Sequence, residues 1–488
     1  MKQLMSQRSK RQTWPIKALT AAVTIAITSL VPANSATVTS DRKPIGDLEI
    51  YKAAKPGTAS IFMMLDTSGS MGGNSGCRNY NSNTGDIRLV VYQRKLDASK
   101  PDGLFRNDEG NTVIDKNAPL LKNVNITFPT CKDGSGNTIA RTLMARLQVA
   151  LIELLSDEVY VGNSIKDTGS LPDDYAMGMG HYPVDSRKGV VLVPTKDLTA
   201  EQRVDLIDNA ISLSANGGTP TASALAESGA YMMGTRTSDV TVVAEREYFN
   251  GSPKWRKCNS NASVLTFDPE IDIFVYDCNS WGTWSSNSNV LPNYSVSSNL
   301  DHRNDSGRTY FANDNSYSGF TDSASDSKKD GSYISPLSDK QCSGNGIYLL
   351  TDGEPNGTNE ATSRTIMNES LSGSTSSLSL GSSCNALQGG GWECTAEYAA
   401  LLRNPASNTK GLPIKTATVG FGNAFAGLTG TRPITVNGEV KTVVDCSSGN
   451  VNQDTRNLCR LGERRGDNET KTYGDGGFYY TENSEEIA

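Results

Sequence analysis

Five residues in three short motifs have the types and placement to hold one hard cation: Asp66, Ser68, Ser70, Thr219 and Asp352. The first motif, Asp66-Thr67-Ser68-Gly69-Ser70, directly follows the apolar run Ile61-Phe62-Met63-Met64-Leu65. Two hydroxyls at i and i+2, with a carboxylate two residues earlier, converge on one ion if the loop curls, and Gly69, Gly72 and Gly73 ease that turn. The pattern alone is weak in so Ser-rich a chain. Asp314-Asn315-Ser316-Tyr317-Ser318 repeats it without a preceding apolar strand and is a chance match. The second motif, Gly217-Gly218-Thr219-Pro220-Thr221, is a plain helix start, with Thr219 as N-cap and Pro220 at the first helical position. It also offers a third hydroxyl on a Gly-hinged loop, and the two roles are compatible. The third motif, Leu349-Leu350-Thr351-Asp352-Gly353-Glu354-Pro355-Asn356, places a carboxylate at the end of a second apolar run. A buried carboxylate needs a partner or solvent. Carboxylates, hydroxyls and water suit Mg²⁺, Ca²⁺ or Mn²⁺, and Mg²⁺ keeps several waters, which leaves an exchangeable position. No nucleophile stands beside a base in these motifs, so they point to binding and not to an enzyme. The chain has 2 His, His181 and His302, and neither an HExxH nor a Cys-x-x-Cys motif, so zinc and Ser-His chemistry have little to build on. His181, in Met179-Gly180-His181-Tyr182, is expected to be an exposed loop residue.

The elements that must position these residues are legible in outline. Ile61–Leu65 and Ile347–Leu350 have the continuous apolar character of strands buried on both faces of a parallel sheet. Weaker strand candidates are Val190–Val193, Ile271–Tyr276, Ile414–Phe421 and Phe478–Thr481. Residues 138–155 put Ile139, Leu143, Leu147, Leu151, Leu154 and Leu155 on one helical stripe, with Arg141, Arg146 and Glu153 off it. Thr199 to Leu213 is a second helix with Thr199 and Gln202 at capping-box spacing. A third runs from Pro220 to about Met233. Strands alternating with helices predict an α/β fold: a doubly wound, mostly parallel sheet flanked by helices. Asp66 and Asp352 then lie at the carboxyl edge of the sheet, where such sheets bind ligands. Two stretches break the rhythm and are read as loop-rich insertions projecting from the sheet, at about 72–137 and 235–341. The second contains a tract dominated by Ser, Asn, Asp and Gly at 279–341.

The 488 residues include 46 Lys and Arg against 53 Asp and Glu, a net charge of −7. Residues 1–36 combine Lys2, Arg8, Lys10, Arg11 and Lys17 with the apolar stretch Ala18–Val31 and the small-residue segment Pro32–Ala36, as a secretory signal peptide does. A signal anchor would need about 20 apolar residues. Cleavage near Ala36 leaves 41 basic and 53 acidic residues, a net −12, which argues against nucleic acid and anionic membranes as partners. Residues 37–57 form a linker, and no later run is long and apolar enough to span a membrane. The 9 Cys of an exported chain predict disulfides. Plausible pairs are Cys384 with Cys394, Cys446 with Cys459, Cys258 with Cys278 and Cys77 with Cys131, leaving Cys342 single, although spacing alone does not fix connectivity.

Taken in order, Asp66-x-Ser68-x-Ser70, Thr219 and Asp352 resemble the metal-ion-dependent adhesion site of von Willebrand factor A domains. The resemblance implies a von Willebrand A or Rossmann-like fold over residues 58–488. It also implies that Ser68, Ser70 and Thr219 ligate a divalent cation, directly or through water, while Asp66 and Asp352 bind it or hold its waters. The open position would receive a carboxylate from a ligand protein. The signal segment together with "GGTPTASAL", "IYLLTDGEPNGT" and "GGFYYTENSEEIA" is similar to the N-terminal part of type IV pilus tip adhesins and pilus biogenesis proteins. That likeness implies an exported protein of the periplasm, outer surface or pilus tip. Its partners would be pilus proteins such as minor pilins and an acidic host or surface ligand. Members of that family continue into a C-terminal β-propeller with a calcium loop, which is absent from this sequence. The alternative is an exported scaffold or subunit of von Willebrand A type without an adhesive role.

Overall fold

The computed structural model describes residues 59–481 with breaks, the longest at 78–85, 95–104, 258–264 and 287–301. The signal segment, the linker, Cys258, Cys278 and Cys342 lie outside the described residues. Among the described residues no helix is long and apolar enough to cross a membrane.

The centre is a six-stranded sheet built from β1 (Ser60–Leu65), β2 (Ala176–His181), β3 (Val190–Asp197), β4 (Asn345–Thr351), β5 (Lys415–Phe421) and β6 (Asp475–Thr481). Its order is β3-β2-β1-β4-β5-β6, parallel throughout except for β3, which pairs antiparallel with β2. The fold is therefore α/β with a mixed, largely parallel sheet. The apolar run of β1 is buried on both faces as its composition predicts. Phe62 and Met64 join one core cluster with α3 (Thr221–Met233), α4 (Glu360–Ser372), α5 (Trp392–Arg403) and α6 (Gln453–Gly462). Ile61, Met63 and Leu65 join the other, with α1 (Leu143–Leu155) and α2 (Ala200–Ser212).

Two helix starts differ from expectation. Residues 138–140 form a strand paired with Cys131, and the helix begins only at Leu143, after the Thr142 side chain caps the amide of Ala145 at 3.1 Å. Thr199 caps Gln202 at 3.3 Å as predicted. The Gln202 side chain does not close the capping box; it donates to the carbonyls of Met177 and Pro194, both at 2.8 Å, and so ties α2 to the sheet edge.

The insertions are more ordered than their composition implied. Within and just beyond 72–137, strands Asp86–Arg94, Leu120–Lys132, Thr138–Ala140, Glu158–Val161 and Ser164–Lys166 form a five-stranded antiparallel sheet. Its Phe128 joins the core cluster of α1 and α2, its strands Thr138–Ala140 and Glu158–Val161 pack on α1, and every residue of that helix is buried. Arg146 and Glu153, expected on an open face, are covered, and the Arg146 Nε donates to the Ala140 carbonyl at 2.8 Å. In the second insertion Ile273–Tyr276 belongs to a separate hairpin with Leu265–Asp268 and not to the central sheet. Residues 317–337 return to the core. The buried Glu227 of α3 accepts hydrogen bonds from Thr237 Oγ1 at 2.6 Å, the Gly319 amide at 2.8 Å and the Tyr333 hydroxyl. A carboxylate at that depth is tolerable because its oxygens are met by donors.

Strand β2, Ala-Met-Gly-Met-Gly-His, has no apolar run to announce it. A Cβ at Gly178 would stand 2.4 Å from Thr195 Oγ1 and 2.6 Å from the Thr195 amide, so the close approach of β3 requires glycine there. Gly178→Ala should destabilise the domain by about 1–3 kcal/mol in chemical denaturation; an unchanged midpoint would contradict this packing. Among the described residues three disulfides are present: Cys77–Cys131, Cys384–Cys394 and Cys446–Cys459. Thiol titration of the denatured, unreduced protein should therefore count at most 3 of its 9 cysteines as free. A larger count would mean that these bonds do not form.

Candidate metal centre

The site is assembled where β1 and β4, adjacent parallel strands, both end. Leu65 is in register with Leu350, and the Asp66 amide continues the ladder to the Leu350 carbonyl at 2.9 Å. The helices change face at this point in the strand order, which makes it the topological switch point of the sheet. Asp66 is wholly buried. Its Oδ1 accepts the Ser68 amide at 2.7 Å and its Oδ2 accepts Thr351 Oγ1 at 2.6 Å. The first contact curls the loop back over the strand end, and the second fastens it to β4.

From Asp66 the polar groups step outward. Ser68 is buried, Ser70 is exposed and Asp352 is half-buried. Ser68 Oγ lies 2.8 Å from Ser70 Oγ, and Ser70 Oγ donates to Asp352 Oδ1 at 2.8 Å. Ser70 uses its one hydrogen on Asp352, so Ser68 is the donor between the two hydroxyls. Four of the five residues singled out in the sequence thus form one chain of contacts opening to solvent at Ser70 and Asp352.

Thr219 is placed by its loop. The Gly69 amide donates to the Gly217 carbonyl at 3.0 Å, and the Asn216 amide donates to the Thr67 carbonyl at 2.7 Å. These two bonds join the loop after β1 to the loop before α3. Thr219 itself is 97% buried, being 3% exposed. It is not the N-cap: α3 starts at Thr221 with Pro220 as its cap residue and no side-chain cap bond.

His181 departs from its expected place in an exposed loop. It ends β2, opposite Leu65, and its Nδ1 lies 3.3 Å from Thr67 Oγ1. Thr67 donates its hydrogen to the Tyr182 carbonyl, so the imidazole Nδ1 is the donor in this contact. His181 and Tyr182 hold the loop from the β2 side. Thr351, Thr67 and His181 were not singled out from the sequence. Thr351 was within reach of register reasoning, because it directly precedes Asp352 on the strand beside β1.

The donor set fits a hard divalent cation. All of its atoms are oxygen, and no Lys or Arg pairs with either carboxylate among the described residues. No group of three or more His, Cys, Asp or Glu side chains gathers among the described residues, so an ion here would depend on hydroxyls as well as carboxylates. Burial pushes the Asp66 carboxyl up from its ordinary value. Asp352 is pushed up to about 7, first by burial and then by the negative charge of Asp66. The hydroxyl of the buried Tyr182 is also raised, by burial and then by the charge of Asp66. Two carboxylates crowd the site without a compensating cation among the described residues.

The pH dependence follows. A carboxyl whose folded pKa lies above its unfolded value adds stability that is complete below the unfolded pKa. That contribution is lost as pH rises through the folded one. For Asp352 this window runs from 3.8 to about 7. Metal-free protein should lose melting temperature across it, and Asp352→Asn should flatten the slope. Divalent-ion affinity should rise over the same window, because the ion displaces the proton. Parallel melting curves for parent and variant would refute the assignment. Comparison of the chain with protein-family models, with curated proteins and with solved structures finds no match.

Proposed function

We propose that the chain is an exported adhesion and pilus-assembly protein. It binds a partner's acidic group through a divalent cation, Mg²⁺ or else Ca²⁺ or Mn²⁺, held by Asp66, Ser68, Ser70, Thr219 and Asp352. The observation that carries this reading is the pair of buried and half-buried carboxylates at the switch point, linked through Ser68 and Ser70 and lacking a protein cation among the described residues. A bound ion supplies the missing positive charge and one coordination position for an external carboxylate.

The sequence motifs support assigning this to a metal-ion-dependent adhesion site on a domain of von Willebrand A type. A six-stranded, largely parallel sheet with helices on both faces is compatible with such a domain. The signal segment and three disulfides support export to the periplasm, outer surface or pilus tip. Minor pilins and an acidic host or surface ligand are the proposed partners. We read the protein as working by binding and not by turnover because no nucleophile stands beside a base in the three motifs, and His181, at the side of the loop after β1, is engaged with Thr67.

The serine hydroxyls sit on a loop at the sheet edge, away from the apolar faces of β1 and β4. Ser68→Ala combined with Ser70→Ala should therefore change unfolding stability by only about 1 kcal/mol. The same double variant should lose calorimetric Mg²⁺ binding and attachment to an acidic surface. Full attachment by a folded, displayed variant that binds no ion would end the adhesion reading and favour the scaffold alternative.

A further inference from the structure

A second charged centre lies at the opposite edge of the central sheet. Lys415 opens β5 and Asp475 opens β6, whereas Asp66 and Asp352 follow the far ends of strands running in the same direction. Lys415 Nζ lies 3.1 Å from Asp475 Oδ2, Arg403 Nη1 lies 4.0 Å from the same oxygen, and the Arg465 amide donates to Asp475 Oδ1 at 2.9 Å. Arg464 lies close enough for the Asp475 charge to act on it. Three cationic side chains, Lys415, Arg403 and Arg464, thus gather around one shared carboxylate, in a chain whose net charge is −7.

Neighbouring acids do not restore the balance. Glu463 pairs with Arg432 at 2.8 Å, and Glu469 pairs with the same guanidinium. Arg464 is only 6% exposed, and its Nη2 is buried without a hydrogen-bond partner among the described residues. A guanidinium is planar, permanently charged and shaped to grip two oxygens at once. Leaving one of its nitrogens dry and unmatched is costly. Burial holds Arg403, Lys415 and Arg464 below their ordinary values, and the charges of Arg464 and Arg403 lower Lys415 further.

We infer that Arg464, Lys415 and Arg403 form a binding site for a compact oxyanion, filled by sulfate, phosphate or a carboxylate group, at the edge of the sheet opposite the candidate metal centre. Arg464 Nη2 supplies the free donor, while Lys415 and Arg403 supply charge and partial access, with side-chain exposures of 17% and 20%. Asp475 orients the two cations that it touches and sets the strength of the site, because it competes with the ligand for them.

The test uses the full oxidised chain, freed of divalent ions so that no metal can hold the anion. Sodium sulfate is titrated by calorimetry and followed by thermal unfolding, against sodium chloride at equal ionic strength. Parallel titrations with phosphate and with acetate distinguish a tetrahedral oxyanion from a carboxylate. Saturable binding with a rise in melting temperature is expected for at least one of the three and not for chloride. Arg464→Gln should weaken that binding about tenfold or more, as loss of a charge-assisted hydrogen bond does, and Lys415→Gln should weaken it as well. The same rise with chloride, no saturable binding by the parent, or unchanged binding by Arg464→Gln would overturn the proposal. If that variant does not fold, unchanged binding by Lys415→Gln overturns it instead.

Discussion

The parallel register between β1 and β4 is the constraint on which the candidate site depends. With Leu65 opposite Leu350, the chain leaves β1 at a point where the Asp66 amide still finds a ladder carbonyl and its carboxylate meets the Thr351 hydroxyl. A slip of one residue would turn Asp66 away from Thr351 and reverse the faces of Phe62, Met63 and Met64 together. The slip is prevented because both faces of β1 are buried. Phe62 packs on Tyr231 with ring centroids 4.8 Å apart, and Met63 and Leu65 belong to the cluster of α1 and α2. Core packing fixes the register, and the register brings the second carboxylate within reach of the first loop.

The rest of the molecule holds that strand end still. Glycines in β2 let β3 approach, and β2 delivers His181 and Tyr182 to the side of Thr67. Helix α3 is anchored along its length by Glu227, whose carboxylate gathers Thr237, Gly319 and Tyr333 from the returning insertion. The loop leading into that helix meets the loop after β1 through two backbone bonds. A serine pair on a solvent-facing loop is thus held by a chain of buried contacts that begins well away from it. Such preorganisation spares an ion the entropy of ordering its ligands.

Signals carried by a single element were the easiest to read in the sequence, and most signals shared between elements were not, the Cys77–Cys131 pair being an exception. The continuous apolar runs of β1 and β4, the Thr199 cap and the local cysteine pairs Cys384–Cys394 and Cys446–Cys459 are each written in a few adjacent residues. Strand β2 was hidden because its glycines are explained only by the proximity of Thr195. The full burial of α1 was hidden because it depends on strands Thr138–Ala140 and Glu158–Val161, part of a sheet formed where the composition suggested loops. Thr351 was missed because its role exists only once β1 and β4 are aligned. Thr219 has the opposite history. Its cap role was the plainest local reading, and the chain gives the cap position to Pro220 instead.

The balance of ligand types in the proposed site has its own electrostatic logic. Two carboxylates neutralise a divalent ion, and three hydroxyls add coordination without adding charge. A third acid within the site would leave the filled centre negative and repel the carboxylate it is meant to receive. With hydroxyls in that place a bound ion would keep enough field for an external acid, and Ser70 could go on donating to Asp352. The net charge of −7 opposes an acidic partner at long range. Salt screens that repulsion beyond about 10 Å at ~0.1 M ionic strength. The attraction at the ion acts within coordination distance and in a dry setting, where screening is weak. On the proposed reading an acidic ligand would be rejected by the surface at large and accepted at one point, so the charges that slow its approach would also confine it to a bound ion.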